Sequence, residues 1–128
     1  MATTAGVSIA PLVGPEVIAG SSRMKAGTAQ KMILNMLSTA TMIRLGLVYS
    51  NLMSNLRATN EKLRRRAGVI LAGETGINAE EAARVFESAG GDLRIALLMA
   101  RSNLSRADAE RLLESHQGSV RRALDSLK

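Results

Sequence analysis

Two serines, a threonine, an arginine and two lysines crowd the stretch Gly20-Ser21-Ser22-Arg23-Met24-Lys25-Ala26-Gly27-Thr28-Ala29-Gln30-Lys31. Hydroxyl donors, cations and the free N–H groups of a starting helix are what an anion needs, because the helix dipole adds positive charge at the same end. Ser21, Ser22, Arg23 and Lys25 are therefore candidates for anion binding, and Gly27 leaves room for a close backbone or ligand. The same residues equally suit an ordinary capped helix with solvated basic side chains. Other chemical groups are sparse. Arg64-Arg65-Arg66 reads as a solvated helix face, since no aromatics interleave it. His116 precedes Gln117-Gly118 and reads as a helix C-terminal residue. Glu80, Glu81, Glu87 and Glu114 occupy first-turn or exposed helix positions and form no catalytic pair.

Composition excludes several classes. The 128 residues contain no Cys, one His, one Tyr, one Phe and no Trp. Disulfides, thiolate catalysis and Cys-ligated metals are out, and a histidine metal site is disfavoured. So aromatic-poor a chain disfavours nucleic-acid binding through aromatic stacking. The net charge of +6 lies wholly in the first half: residues 1–66 hold 9 basic against 2 acidic groups (Glu16 and Glu61), and residues 67–128 hold 8 against 9. The charge favours an anionic partner. No apolar run reaches the roughly 18 residues of a membrane span, and Met1–Gly6 lacks a secretory n-region, so a cytoplasmic protein without membrane contact is expected.

The elements that must hold the Ser21–Lys25 group follow from spacing. Ser8–Val13 reads as a short extended segment that Pro11 confines to an edge strand or a strand end, and Gly14-Pro15 turns the chain into a loop over 16–20. Ser21 and Ser22 offer N-cap hydroxyls for a long helix, Met24 to Leu45. Apolar residues surround most of that helix, which predicts burial on several sides, with the methionines as core filler. Gly46 breaks it, and 48–56 is extended or irregular. Thr59 or Asn60 caps a further helix to about Leu71, with Gly73 as its stop. Asn51 and Asn60 read as backbone caps.

The last third repeats itself at a shift of 27 residues. Ile77–Ser88 aligns with Leu104–Ser115, and Gly91–Leu97 with Gly118–Leu124. Each unit reads cap, helix, glycine turn, cap, helix, with capping-box-like pairs Asn78/Glu81 and Ser105/Asp108. Four short helices in two hairpins follow. Neither hairpin is long enough to be stable alone.

Val13–Lys31, Leu34-Asn35-Met36-Leu37-Ser38-Thr39, Asn51-Leu52-Met53 and Ala58–Leu63 together resemble the N-acetylmuramic acid 6-phosphate etherase family. Glucokinase regulatory protein carries a similar signature. The resemblance runs from about Ser8 to the C-terminus and corresponds to the C-terminal portion of the family's pattern. It implies a mainly α chain: residues 1–72 as the end of a sugar-isomerase (SIS) type α/β domain, with a short strand and long helices, and residues 73–128 as a small UBA-like helical bundle.

The implied activity is that of a carbon–oxygen lyase. It removes D-lactate from N-acetylmuramic acid 6-phosphate to leave N-acetylglucosamine 6-phosphate, with no metal or cofactor, in a cytoplasmic homodimer that recycles cell-wall sugars. The family's catalytic glutamates and Gly/Ser-rich phosphate loops have no matching positions here. The chain alone is thus expected to be inactive, with no catalytic residue of its own. By resemblance Ser21, Ser22, Arg23 and Lys25 contact the sugar phosphate and Glu16 lines the pocket. The alternative is a non-catalytic sugar-phosphate-sensing or protein-binding helical module.

Overall fold

The structure, a computed structural model, describes residues 6–56 and 58–128. The signal-peptide question therefore falls largely on residues outside those described. The chain is mainly α. Helix α1 (Lys25–Arg44) is followed by strands β1 (Val48–Tyr49) and β2 (Leu52–Met53), then α2 (Glu61–Thr75), α3 (Ala79–Ser88), α4 (Leu93–Ser102), α5 (Arg106–Ser115) and α6 (Val120–Asp125). Two compact units divide at Ala40/Thr41, and the boundary drawn from sequence at 72/73 falls inside α2.

In the first unit the chain before α1 forms no strand. Ser8–Val13 is irregular, because a strand needs a hydrogen-bonded neighbour and the described residues supply none there. Instead Ile9, Pro11 and Val13 border a cleft of about 240 Å³ with Ala26, Ala29 and Ile33 of α1. The long helix forms almost where its pattern predicts, but its burial does not: α1 has no buried residue. Met32, Met36 and Ile43 are 57%, 58% and 55% exposed. Most of the methionines are likewise surface residues, whereas Met99 packs against the core.

The second unit holds the core. α4 packs against α2, α3, α5 and α6, and Leu93, Ala96, Leu97 and Leu98 are essentially inaccessible. Its face meets Leu71 of α2, Phe86 of α3, Leu113 of α5 and Val120 of α6 within one apolar cluster. The 27-residue repeat is structural. Ala82 and Ala109 are both fully buried, as are Leu93 and Val120, and Ala96 and Ala123. The caps repeat too. Asn78 Oδ1 accepts from Glu81 N at 2.9 Å and Ser105 Oγ from Asp108 N at 3.2 Å. Asp92 Oδ1 accepts from Arg94 N at 2.9 Å and Ser119 Oγ from Arg122 N at 3.4 Å. Each cap satisfies an orphan N–H and contributes about 1 kcal/mol.

Other elements differ in detail from the sequence reading. Asn60 caps α2, its Oδ1 accepting from Leu63 N at 2.9 Å. The helix runs through Gly73 and stops at Gly76, whose φ of 77° and N–H bond to Ala72 O make the left-handed cap. A glycine inside a helix costs only about 1 kcal/mol, so Gly73 is tolerated. Residues 48–53 pair as a two-strand antiparallel hairpin, Val48 opposite Met53 and Tyr49 opposite Leu52. Asn51 lies exposed at its turn. His116 is the C-cap of α5, its Nδ1 2.9 Å from Leu112 O.

Gly46 ends α1 at φ 76°, and a Cβ there would lie 2.7 Å from Ser119 Cβ. Gly46→Ala is expected to cost about 2 kcal/mol or more in urea denaturation through strain and overpacking. Gly73→Ala, in open helical space, gains about 0.5–1 kcal/mol. Equal effects of the two would contradict this packing.

Burial raises the Asp92 carboxyl pKa, but bonds from the Arg94 side chain and backbone, the guanidinium charge and the Ile95 N–H together hold it below the ordinary carboxylate value. Folding thus favours the ionised form. This contribution is complete above the unfolded pKa of about 3.9 and is lost as pH falls through the lowered native value. Asp92→Asn is expected to flatten stability against pH below about pH 4. An unchanged profile would contradict the assignment.

Candidate functional site

The Ser21–Lys25 group sits on the loop that enters α1. Gly14 takes a left-handed φ of 70°, Glu16 follows Pro15, half-buried, and the chain turns over 17–20. Its carboxylate then reaches nine residues forward: Oε1 and Oε2 each accept from Lys25 N at 3.1 Å, and Oε1 accepts from Ala26 N at 3.1 Å. Lys25 Nζ donates back to Pro15 O at 2.7 Å. The segment between is turned by Ser21 N donating to Ile18 O at 3.1 Å. Gly27 N donates to Ser22 O at 3.0 Å. A Cβ on Gly27 would lie 3.4 Å from that same oxygen, in van der Waals contact.

The anion recipe is therefore present, but the anion is internal. The N-cap hydroxyls expected from Ser21 and Ser22 make no such bond among the described residues; Glu16 takes the orphan N–H groups instead. A carboxylate is the better partner for the positive end of a helix, carrying full charge where a hydroxyl carries a dipole. Glu16 is thereby placed against the helix start rather than as a free pocket carboxylate. Lys25 has its ammonium tied to Pro15. Ser21, Ser22 and Arg23 are exposed, and no bond to the Arg23 guanidinium is found among the described residues. The structure brings Glu16 and Lys25 together and holds Ser21, Ser22 and Arg23 on the loop between them.

Sequence reasoning missed the Glu16 bond because local capping signals span three residues, not nine. The only hint was a turn-forming Gly14-Pro15 just before the sole carboxylate of the first sixty residues. The triple arginine is exposed on α2, with Arg64 Nε 4.0 Å from Glu87 Oε1. Among the described residues no group of three or more acidic, His or Cys side chains is placed to hold a metal, and no helix is long and apolar enough to cross a membrane.

With Glu16 as the cap of α1, Ser21→Ala and Ser22→Ala are each expected to change stability by less than about 0.5 kcal/mol. A loss of about 1 kcal/mol from either, the usual penalty for deleting an N-cap, would contradict this geometry.

No family model matches the chain. Curated relatives do. It is 49% identical over 127 residues to N-acetylmuramic acid 6-phosphate etherase of Clostridium beijerinckii, covering 99% of this chain and 42% of that protein. Identity to the etherase of Clostridium botulinum strain Loch Maree is 46% over the same shares. Identity to that of Geobacillus thermodenitrificans is 51% over 112 residues, 88% of this chain and 38% of the relative. The chain thus spans less than half the length of the curated relatives it matches.

Proposed function

Nearly the whole chain matches a part of N-acetylmuramic acid 6-phosphate etherase, and on that footing we propose that it is the C-terminal portion of such an enzyme, supplying the loop that meets the sugar phosphate. The observation that carries this reading is the loop itself: Ser21, Ser22 and Arg23 stand exposed between two tied ends, and Arg23 has no partner among the described residues. A guanidinium meets a phosphate with two parallel N–H bonds, and serine hydroxyls add donors at its edge. Lys25 contributes its positive charge from the Pro15 tie. The ligand is N-acetylmuramic acid 6-phosphate, and the reaction of the whole enzyme is lyase-type release of D-lactate without metal or cofactor.

In this reading residues 1–72 belong to an SIS-type domain and residues 73–128 form the small UBA-like bundle. The acid and base come from the part of the enzyme that this chain does not contain, so the chain alone is inactive. The unburied α1 face supports the same view, since an apolar surface of this kind is unfavourable in water and suits a packing partner. The working form is a cytoplasmic homodimer.

Release of D-lactate from N-acetylmuramic acid 6-phosphate tests the proposal. The chain alone is expected to release none. Adding the remaining portion of the Clostridium beijerinckii etherase restores release, and Arg23→Ala lowers it by about 10–100-fold, the cost of a lost charged hydrogen bond. Turnover by the chain alone would overturn the inactivity. No restoration, with a different protein captured by residues 41–128, would favour the binding-module alternative, which the self-contained core of that unit permits.

A further inference from the structure

Four hydrogen bonds tie residues 15–16 to residues 25–26 across the loop that carries Ser21, Ser22 and Arg23. They change what the loop offers an anion. The two N–H donors at the start of α1, where an incoming phosphate would otherwise settle, already hold the Glu16 carboxylate. A dianion approaching those donors would meet a like charge at contact distance. The Lys25 ammonium is turned onto the Pro15 carbonyl.

We propose that Glu16 is a positioning residue: its carboxylate clasps the first turn of α1 and presents the Ser21–Arg23 loop, so that a sugar phosphate is met by Arg23 and the two hydroxyls, not by the helix N-terminus. This rests on the sugar-phosphate reading for the ligand, and on the three bonds accepted by the Glu16 carboxylate for the clasp. The clasp needs an acceptor oxygen at position 16 more than it needs a proton-transferring group. Glutamine keeps that oxygen and alanine does not, which separates positioning from a direct role in proton transfer.

The experiment uses the full chain. Amide hydrogen exchange at Lys25 and Ala26 is measured by NMR in the wild type, Glu16→Gln, Glu16→Ala and Arg23→Ala, followed by titration with N-acetylglucosamine 6-phosphate and, separately, inorganic phosphate. Glu16→Ala is expected to speed exchange at both amides about tenfold, the equivalent of one charge-assisted hydrogen bond. Glu16→Gln is expected to restore most of the protection, and Arg23→Ala to leave it unchanged.

In the titrations Glu16→Gln should retain binding while Arg23→Ala loses it. Unprotected amides in the wild type, equal exchange in the alanine variant, or a glutamine variant as fast as alanine would each overturn the clasp. Sugar-phosphate shifts centred on the Lys25 and Ala26 amides, with Glu16 displaced, would overturn it as well. Intact protection without any sugar-phosphate binding overturns the functional reading and leaves the clasp supported, so the two failures are distinct.

Discussion

The constraint on which the rest depends is that this chain has apolar side chains for one small core, and α4 takes it. With a single Phe and a single Tyr, the interior must be filled by Leu, Ile, Val and Ala, and close packing is reached only where short helices meet on all sides. Leu93, Leu97 and Leu98 of α4 are enclosed by α2, α3, α5 and α6. The 27-residue repeat makes this geometry cheap: two similar hairpins place a small alanine at each close approach and a larger apolar residue one turn on. Nothing comparable exists over the described residues 6–40. There α1 is an autonomous-looking helix with its apolar girth in solvent, a state that short helices hold poorly without tertiary packing.

The two units therefore carry different kinds of information. Residues 41–128 are explained by their own contacts: caps, the Gly46 approach to Ser119, the Asp92–Arg94 pair at 2.6 Å. Residues 6–40 are explained only in part. Glu16, Pro15 and Lys25 account for how the chain enters α1, but no packing within the described residues accounts for why the exposed Met32 and Met36 are apolar. Under the proposed function that packing surface lies in the rest of the enzyme; more than half of each relative lies outside the length this chain matches.

What was legible in the sequence divides along the same line. The repeat, its four helices and its caps were readable because capping boxes and helical periodicity are local, three- and four-residue signals. The limits of α1 were readable for the same reason. The burial of α1 was misread: periodicity reports which face wants company, and says nothing of whether the company is in the chain. The stop of α2 was placed at Gly73 because glycine marks both helix interiors and helix ends, and only the left-handed φ of Gly76 tells them apart. At the site, residue types pointed to an anion at the helix start. That the anion is Glu16 depends on a nine-residue reach that no local rule encodes.

Methionine oxidation by dilute peroxide tests the central claim most directly, because thioether reactivity follows exposure. In the chain alone Met32, Met36 and Met42 oxidise readily, together with exposed Met53. On addition of the remaining portion of an etherase, the account predicts slowed oxidation of the three α1 methionines. Equal rates with and without that portion, while D-lactate release is restored, would contradict the assignment of α1 as the surface that completes the enzyme.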